Sequence, residues 1–317
     1  MQFLKIRRII MAFTAKDVQA LRERTGCGMM DCKKALTESN GDMDKAVELL
    51  REKGLAAAEK KSGRIAAEGI VTAIVDEAAN VGVVIEVNSE TDFVAKNADF
   101  QNFVVACAKT VAAANPADVD ALLNATLFGE NVTVADALRE KILVIGENMK
   151  IRRFERYEGV VTTYVHGAGR IGVMVKFDTD VDASKPEFKE FAKDIAMQVA
   201  AANPAYLDEA SVPAEVIAKE KEILMAQIAN DPKSANKPEA VIAKMVEGKI
   251  GKYYKENCLV NQLFVKDPDL TITKYVDNKA KEFGGKISVV SYVRFEKGEG
   301  LEKREDNFAD EVASMMK

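Results

Sequence analysis

Glu68-Gly69-Ile70-Val71-Thr72 returns ninety residues later as Glu158-Gly159-Val160-Val161-Thr162. Each copy opens as a β-branched run, passes a turn and resumes as a second run, Gly82 to Val87 or Gly172 to Phe177. Such runs bounded by turn residues read as paired strands. Each pair leads to a segment with one apolar face. In the first copy the face is Phe100, Phe103, Val104, Cys107, Ala108 and Val111; in the second it is Phe188, Phe191, Ala192, Ile195, Ala196 and Val199. The shared i, i+3, i+4, i+7, i+8, i+11 spacing belongs to a helix packed along one side. Both segments run into Asn-Pro, at Pro116 and Pro204, where proline's missing N–H and fixed ring stop a helix. A closing strand completes each copy, Lys150 to Tyr157 and Lys286 to Glu296. The pattern predicts an α+β fold with a duplicated core, antiparallel sheets with packed helices, over residues 68–157 and 158–296.

The second copy is interrupted. Pro213 opens a segment with Val216, Ile217, Ile223, Leu224 and Ile228 apolar, and Pro238 opens another with Val241, Ile242, Met245, Val246 and Ile250. Two amphipathic helices joined by a short polar turn predict an inserted antiparallel hairpin over 211–254. Its apolar stripe calls for a partner, such as a second copy of itself.

Before the repeat, three helices are expected. Thr14 caps the first through Arg24, with Gly26 beyond its end; Met29 to Ser39 forms the second; Asp42 caps a third from Met43 to Lys53, closed by Gly54. They form a small N-terminal bundle, residues 11–54, followed by an Ala- and Lys-rich linker, 55–67. Met1 to Ile10 is expected to lie outside the fold and to be disordered, with Met11 reading as a second start. After Glu296 a short C-terminal module, 297–317, carries Phe308, Val312 and Met315 at helical spacing.

Duplication exposes what is particular to each copy. Between strand and helix the first copy carries Glu90-Thr91-Asp92-Phe93-Val94, whereas the equivalent stretch of the second, Asp178 to Pro186, has no aromatic residue. A phenylalanine there either seats the following helix or is presented to a partner. One needed only as a seat should recur in both copies, so Phe93 is expected to be presented, and its loop to be the working end of the protein.

Composition narrows the chemistry. The chain of 317 residues is 48% hydrophobic and 30% charged with a formal net charge of −5, which fits a globular protein and disfavours a phosphate-binding polycation. No apolar run approaches the roughly 20 residues that cross a bilayer. Four scattered cysteines, Cys27, Cys32, Cys107 and Cys258, have neither disulfide-framework nor zinc-ligand spacing, which fits reduced thiols in the cytoplasm. The single histidine, His166, stands in a Gly-rich turn, and neither a phosphate-binding glycine motif nor a nucleophile with a neighbouring base is present. No metal, cofactor, direct nucleotide contact, nucleic acid or membrane is expected, and no covalent chemistry.

Several motifs together resemble the bacterial elongation factor Ts family. They are Leu21-Arg22-Glu23-Arg24-Thr25-Gly26, Gly28-Met29-Met30-Asp31-Cys32-Lys33-Lys34-Ala35-Leu36, Thr91-Asp92-Phe93-Val94-Ala95-Lys96, the turn His166-Gly167 to Gly172, Lys244-Met245-Val246-Glu247-Gly248, and Arg294-Phe295-Glu296 to Gly300. The resemblance runs from Met11 to the end; Leu263 stands where some relatives have proline. It implies guanine nucleotide exchange on elongation factor Tu, the GTPase that carries aminoacyl-tRNA. Thr91, Asp92, Phe93 and Val94 would form the wedge loop, entering near the magnesium and switch region of the partner. Arg22, Met29 and Met30 of a ubiquitin-associated-like N-terminal module would hold the same GTPase domain, with help from Met315. His166 and Val265 would meet another part of the partner, and the inserted hairpin would join two copies into a homodimer. A binding module without exchange activity is the alternative reading.

Overall fold

A computed structural model of the chain describes residues 13–231 and 237–302. The fold is α+β. The described residues divide into two compact units: one takes in the chain up to Ile70, Glu86–Arg153 and the segment from Lys297, the other Val71–Ile85 and Phe154–Glu296. Met1 to Ile10 and Met315 lie outside the described residues.

The first unit opens with α1 (Ala15–Thr25). Thr14 and Asp17 form a reciprocal cap, each side chain accepting from the other's backbone N–H, and Gly26 ends the helix with φ 67°. α2 (Met29–Glu38) follows, then α3 (Met43–Lys61), whose first N–H groups donate to Asp42. Val18, Leu21, Cys32, Ala35, Leu36, Ala46 and Leu50 bury one common core. α3 departs from expectation: it passes through Gly54 and ends at Lys61. Gly54 is buried, and a Cβ added there would stand 3.7 Å from the Arg139 carbonyl and from the Leu143 side chain. This glycine marks a close helix–helix contact. The alanine-rich run after it favours helix by more than the roughly 1 kcal/mol one glycine costs.

Strands β1 (Glu68–Asp76), β2 (Val81–Ser89) and β3 (Met149–Glu158) make a sheet of order β1-β2-β3. Between β2 and β3 run α4 (Asp92–Ala95), α5 (Ala98–Ala114), α6 (Val119–Asn124) and α7 (Val134–Ile145). The six residues expected on the apolar face of α5 are all buried. α6 and α7 have no expectation behind them. Leu143 of α7 packs on the core of α1–α3, so that bundle is completed by a helix from far along the chain.

In the second unit β4 (Val160–His166) and β5 (Ile171–Thr179) pair antiparallel, and the last strand, Ile287–Glu296, pairs antiparallel with the other edge of β5. α8 (Pro186–Ala202) lays Phe188, Phe191, Ile195 and Val199 over Val173, Val175 and Phe177. The insertion consists of α9 (Ala214–Asn230) and α10 (Glu239–Asn257). The chain leaving the insertion returns to the chain ahead of it: the N–H groups of Ala205 and Tyr206 both donate to the Asn257 carbonyl. Leu224 and Ile228 pack on Val246 and Ile250. The stripe expected to need a second copy is therefore largely satisfied within the hairpin, leaving Ile223, Met225 and Val241 exposed. β6 (Leu263–Phe264), β7 (Asp267–Thr271), α11 (Ile272–Phe283) and β8 (Ile287–Glu296) complete the unit.

Two repeat-equivalent glycines lie where side chains from the two copies crowd together. A Cβ on Gly82 would fall 2.7 Å from the Met174 sulfur and 2.9 Å from Val161, and one on Gly172 would fall 2.4 Å from Val71 and 3.2 Å from Val84. Val71, Val84, Met174 and Phe295 form a buried cluster there. Gly172→Ala is expected to destabilise by roughly 1–3 kcal/mol through overpacking. Gly248→Ala, whose Cβ meets open space on α10, should stabilise by roughly 0.4–1 kcal/mol. Denaturant melts of both variants check the contrast.

Candidate functional site

Four residues after β2 form a single helical turn, α4, divided between core and solvent. Val94 and Ala95 are buried, whereas Phe93 is 79% exposed. Consecutive residues of a helical turn point about 100° apart, so burying one pair presents the other. The turn is held at both ends. Ahead of it, the Ser89 hydroxyl donates to the Thr91 carbonyl at 3.0 Å. Behind it, Gln101 Nε2 donates to the Ala95 carbonyl at 2.9 Å, and Asn97 caps α5 by accepting from the N–H groups of Asp99 and Phe100. Phe93 is thus a large apolar side chain on a fixed support.

Lys96 dresses the tip. Its Nζ lies 2.6 Å from Asp92 Oδ2 and 5.8 Å from the centre of the Phe93 ring. The Lys96 hydrogen bond and charge, helped by the charge of Lys297, hold the Asp92 carboxyl below the usual carboxylate range. The tip therefore presents one ring with an ion pair beside it.

The remaining expected residues are distributed over both units. Arg22, Met29 and Met30 are exposed on α1 and α2, in the unit that carries Phe93. His166 ends β4 in the other unit, exposed, with Nδ1 3.0 Å from the Tyr164 hydroxyl. Three successive residues with positive φ follow it, Gly167, Ala168 and Gly169. Val265 is exposed, as is Leu263, and both are braced from below by the fully buried Gln198. Its Oε1 accepts from the Val265 N–H at 2.8 Å and its Nε2 donates to the Leu263 carbonyl at 3.1 Å.

Sequence reasoning missed the polar supports. Glu86 is completely buried, yet accepts from Gly298 N–H (2.8 Å), Asn88 Nδ2 (3.1 Å), Arg153 Nε (2.6 Å) and Arg152 Nη1 (3.0 Å). Burial alone would raise its pKa; these donors outweigh it and bring the carboxyl below its ordinary value. Arg153 also pairs with Glu299 at 3.2 Å, and Lys297 pairs with Glu68. The segment after β8 is thereby tied to β1, β2 and β3. A glutamate inside an otherwise apolar strand, Val83-Val84-Ile85-Glu86-Val87, is the sequence signal that could have revealed this anchor.

The family pattern described as Elongation factor TS matches residues 90–299. The chain is 55% identical to an elongation factor Ts of Clostridium perfringens (strain SM101 / Type A) over 305 residues, 95% of this chain and 98% of that protein. It is 54% identical over 307 residues to one from Clostridium novyi (strain NT), covering 96% and 98%. The chain belongs to the elongation factor Ts family. It is thus a protein-synthesis elongation factor, and the family match includes the whole of α4 and the anchored segment up to Glu299. Among the described residues, no helix is long and apolar enough to cross a membrane, and no His, Cys, Asp and Glu cluster could hold a metal ion.

Because the folded pKa of Glu86 lies below its ordinary 4.5, its contribution to stability is complete above that value and fades as pH falls through the folded pKa. Glu86→Gln should cost about 3 kcal/mol at pH 7 by leaving the two arginines without their buried counter-charge. The gap between parent and variant should narrow in acid. Urea melts of both proteins from pH 7 to pH 3 measure it; a constant gap would remove the charge from the account.

Proposed function

We propose that this chain is the guanine nucleotide exchange factor of elongation factor Tu and that it promotes GDP release by inserting Asp92 and Phe93 near the magnesium and switch region of the GTPase. The observation that carries this reading is the 79% exposure of Phe93, beside the exposed Asp92, on a turn whose Val94 and Ala95 are buried. Exposed apolar groups fixed to a rigid support fit a partner surface. Exchange needs no proton transfer and no cofactor. It needs higher affinity for the nucleotide-free partner than for the GDP-bound one. Coupling between factor and nucleotide is reciprocal, so the nucleotide that rebinds weakens the factor by the same ratio.

In this reading Arg22, Met29 and Met30 hold the same GTPase domain as the wedge, Met315 assists, and His166 and Val265 meet a second region of the partner. The factor itself binds neither nucleotide nor nucleic acid and works in the cytoplasm. Thr91 and Val94 complete the wedge loop, one at its start and one beneath it.

Phe93→Ala is expected to change stability by under about 1 kcal/mol, as for other exposed sites, and to cut the rate of GDP release from saturated complex. Melting curves and release of labelled GDP from elongation factor Tu test both halves. A large loss of stability with normal release per folded molecule would return Phe93 to a packing role.

The hairpin of α9 and α10 joins two copies through Ile223, Met225 and Val241. Excising residues 213–251 behind a short linker should leave a folded monomer, since Ala205 and Tyr206, ahead of the hairpin, already bond to Asn257 at its close. Sedimentation reads the outcome; an unchanged mass in solution would remove the dimer role.

A further inference from the structure

A helix of one turn cannot hold its own direction, because nucleating a first turn is unfavourable in water. The usual remedy is a side-chain cap, and three threonines in this chain supply one: Thr14, Thr133 and Thr271 each accept from an N–H of the helix they begin. Thr91 stands at the start of α4 in the same extended conformation, φ −126° and ψ 159°. Among the described residues it makes no side-chain bond to its own turn. Its polar groups are taken from outside. The hydroxyl donates to Glu147 Oε1 at 2.6 Å and the backbone N–H donates to Glu147 Oε2 at 3.0 Å. One carboxylate grips both donors of one residue.

The grip is reciprocated one residue along each segment. Glu90 Oε1 accepts from the Asn148 N–H at 2.6 Å. Residues 90–91 and 147–148 thus exchange carboxylate-to-backbone bonds in both directions. Two points of attachment fix rotation as well as position. The far side is itself anchored: Gly146 turns the chain out of α7 with φ 88°, and the buried Asn148 donates from Nδ2 to the Arg64 carbonyl at 2.8 Å. Burial of Val94 and Ala95 and the Gln101 bond to the Ala95 carbonyl secure the end of α4, but at its start the Ser89 hydroxyl holds Thr91 through a single bond to its carbonyl, which leaves the turn free to pivot there. Glu147 removes that freedom.

We infer that Glu147 is a positioning residue for the exchange loop: by holding Thr91 through both its N–H and its hydroxyl, it sets the direction in which Phe93 leaves the surface. This rests on the exchange reading above. Glu147 need not touch the partner, and its effect is on the rate at saturation more than on affinity, because a misdirected wedge still lets the rest of the factor bind.

The test compares the parent with Glu147→Ala and Glu147→Gln. The glutamine keeps an oxygen to accept from the Thr91 N–H and an amide to donate to its hydroxyl. Glu147→Ala should lower the saturating rate of GDP release from elongation factor Tu about ten-fold, in line with losses from a misplaced group. Its dissociation constant should stay within about three-fold of the parent's, and Glu147→Gln should restore most of the rate. In the free protein, hydrogen exchange at the Thr91 amide should quicken in Glu147→Ala and recover in Glu147→Gln. A parent-like saturating rate in Glu147→Ala, or a slow rate fully recovered at high factor concentration, overturns the inference. Failure of the parent itself to speed GDP release overturns the exchange reading instead, while the amide measurement still reports whether the grip exists. If Glu147→Ala does not fold, Thr91→Val, which removes the hydroxyl alone, carries the same comparison, with Thr91→Ser as its rescue; a parent-like rate for Thr91→Val then overturns the inference.

Discussion

The close approach at Gly82 and Gly172 is the constraint on which the second unit depends. Equivalent positions of a duplicated sequence lie where methyl groups and a thioether from the other copy fill the space a Cβ would take. Backbone can come this near to side chains only where glycine stands. With Val71, Val84, Met174 and Phe295 closing around the two sites, the strands are held face to face. Glycine here is a requirement of packing, since neither residue has positive φ.

The first unit is arranged around charge. Glu86 is buried with four donors about it, and its arginine partners reach on to Glu299. A buried ion network is weak evidence for net stability, since desolvation offsets much of the attraction. Its geometric demand is strict, however, and a segment bound by it takes one path. The same economy of means recurs at Glu90 and Glu147, where carboxylates accept from backbone N–H groups across long separations in sequence. Rigid support of this kind suits a protein whose activity would consist of placing one ring accurately against a partner.

Local features were legible in the sequence for a physical reason: they depend on neighbours along the chain. Capping at Thr14 and Asp42, the left-handed stop at Gly26 and the break before Pro116 involve residues within a few positions of one another. The helix faces of α5 and α8 followed from spacing, and the missing aromatic in the second copy singled out Phe93. Those inferences needed a pattern and no knowledge of what lay opposite.

What tertiary structure alone decided concerns residues whose meaning comes from a distant partner. Gly54 reads as a stop until Arg139 and Leu143 arrive beside it, whereupon it becomes the place where two helices touch. The stripe on α9 reads as unpartnered until α10 covers it with Val246 and Ile250. Glu147 and Asn148 read as an ordinary turn after a helix, and nothing within ten residues hints that they hold Thr91 and Glu90. Hydrogen bonds between segments more than fifty residues apart leave no periodicity behind. The sequence by itself determined the duplication, the helix starts and the aromatic that stands out; only the folded chain decided which side chains hold that aromatic in place, because that depends on distances through space.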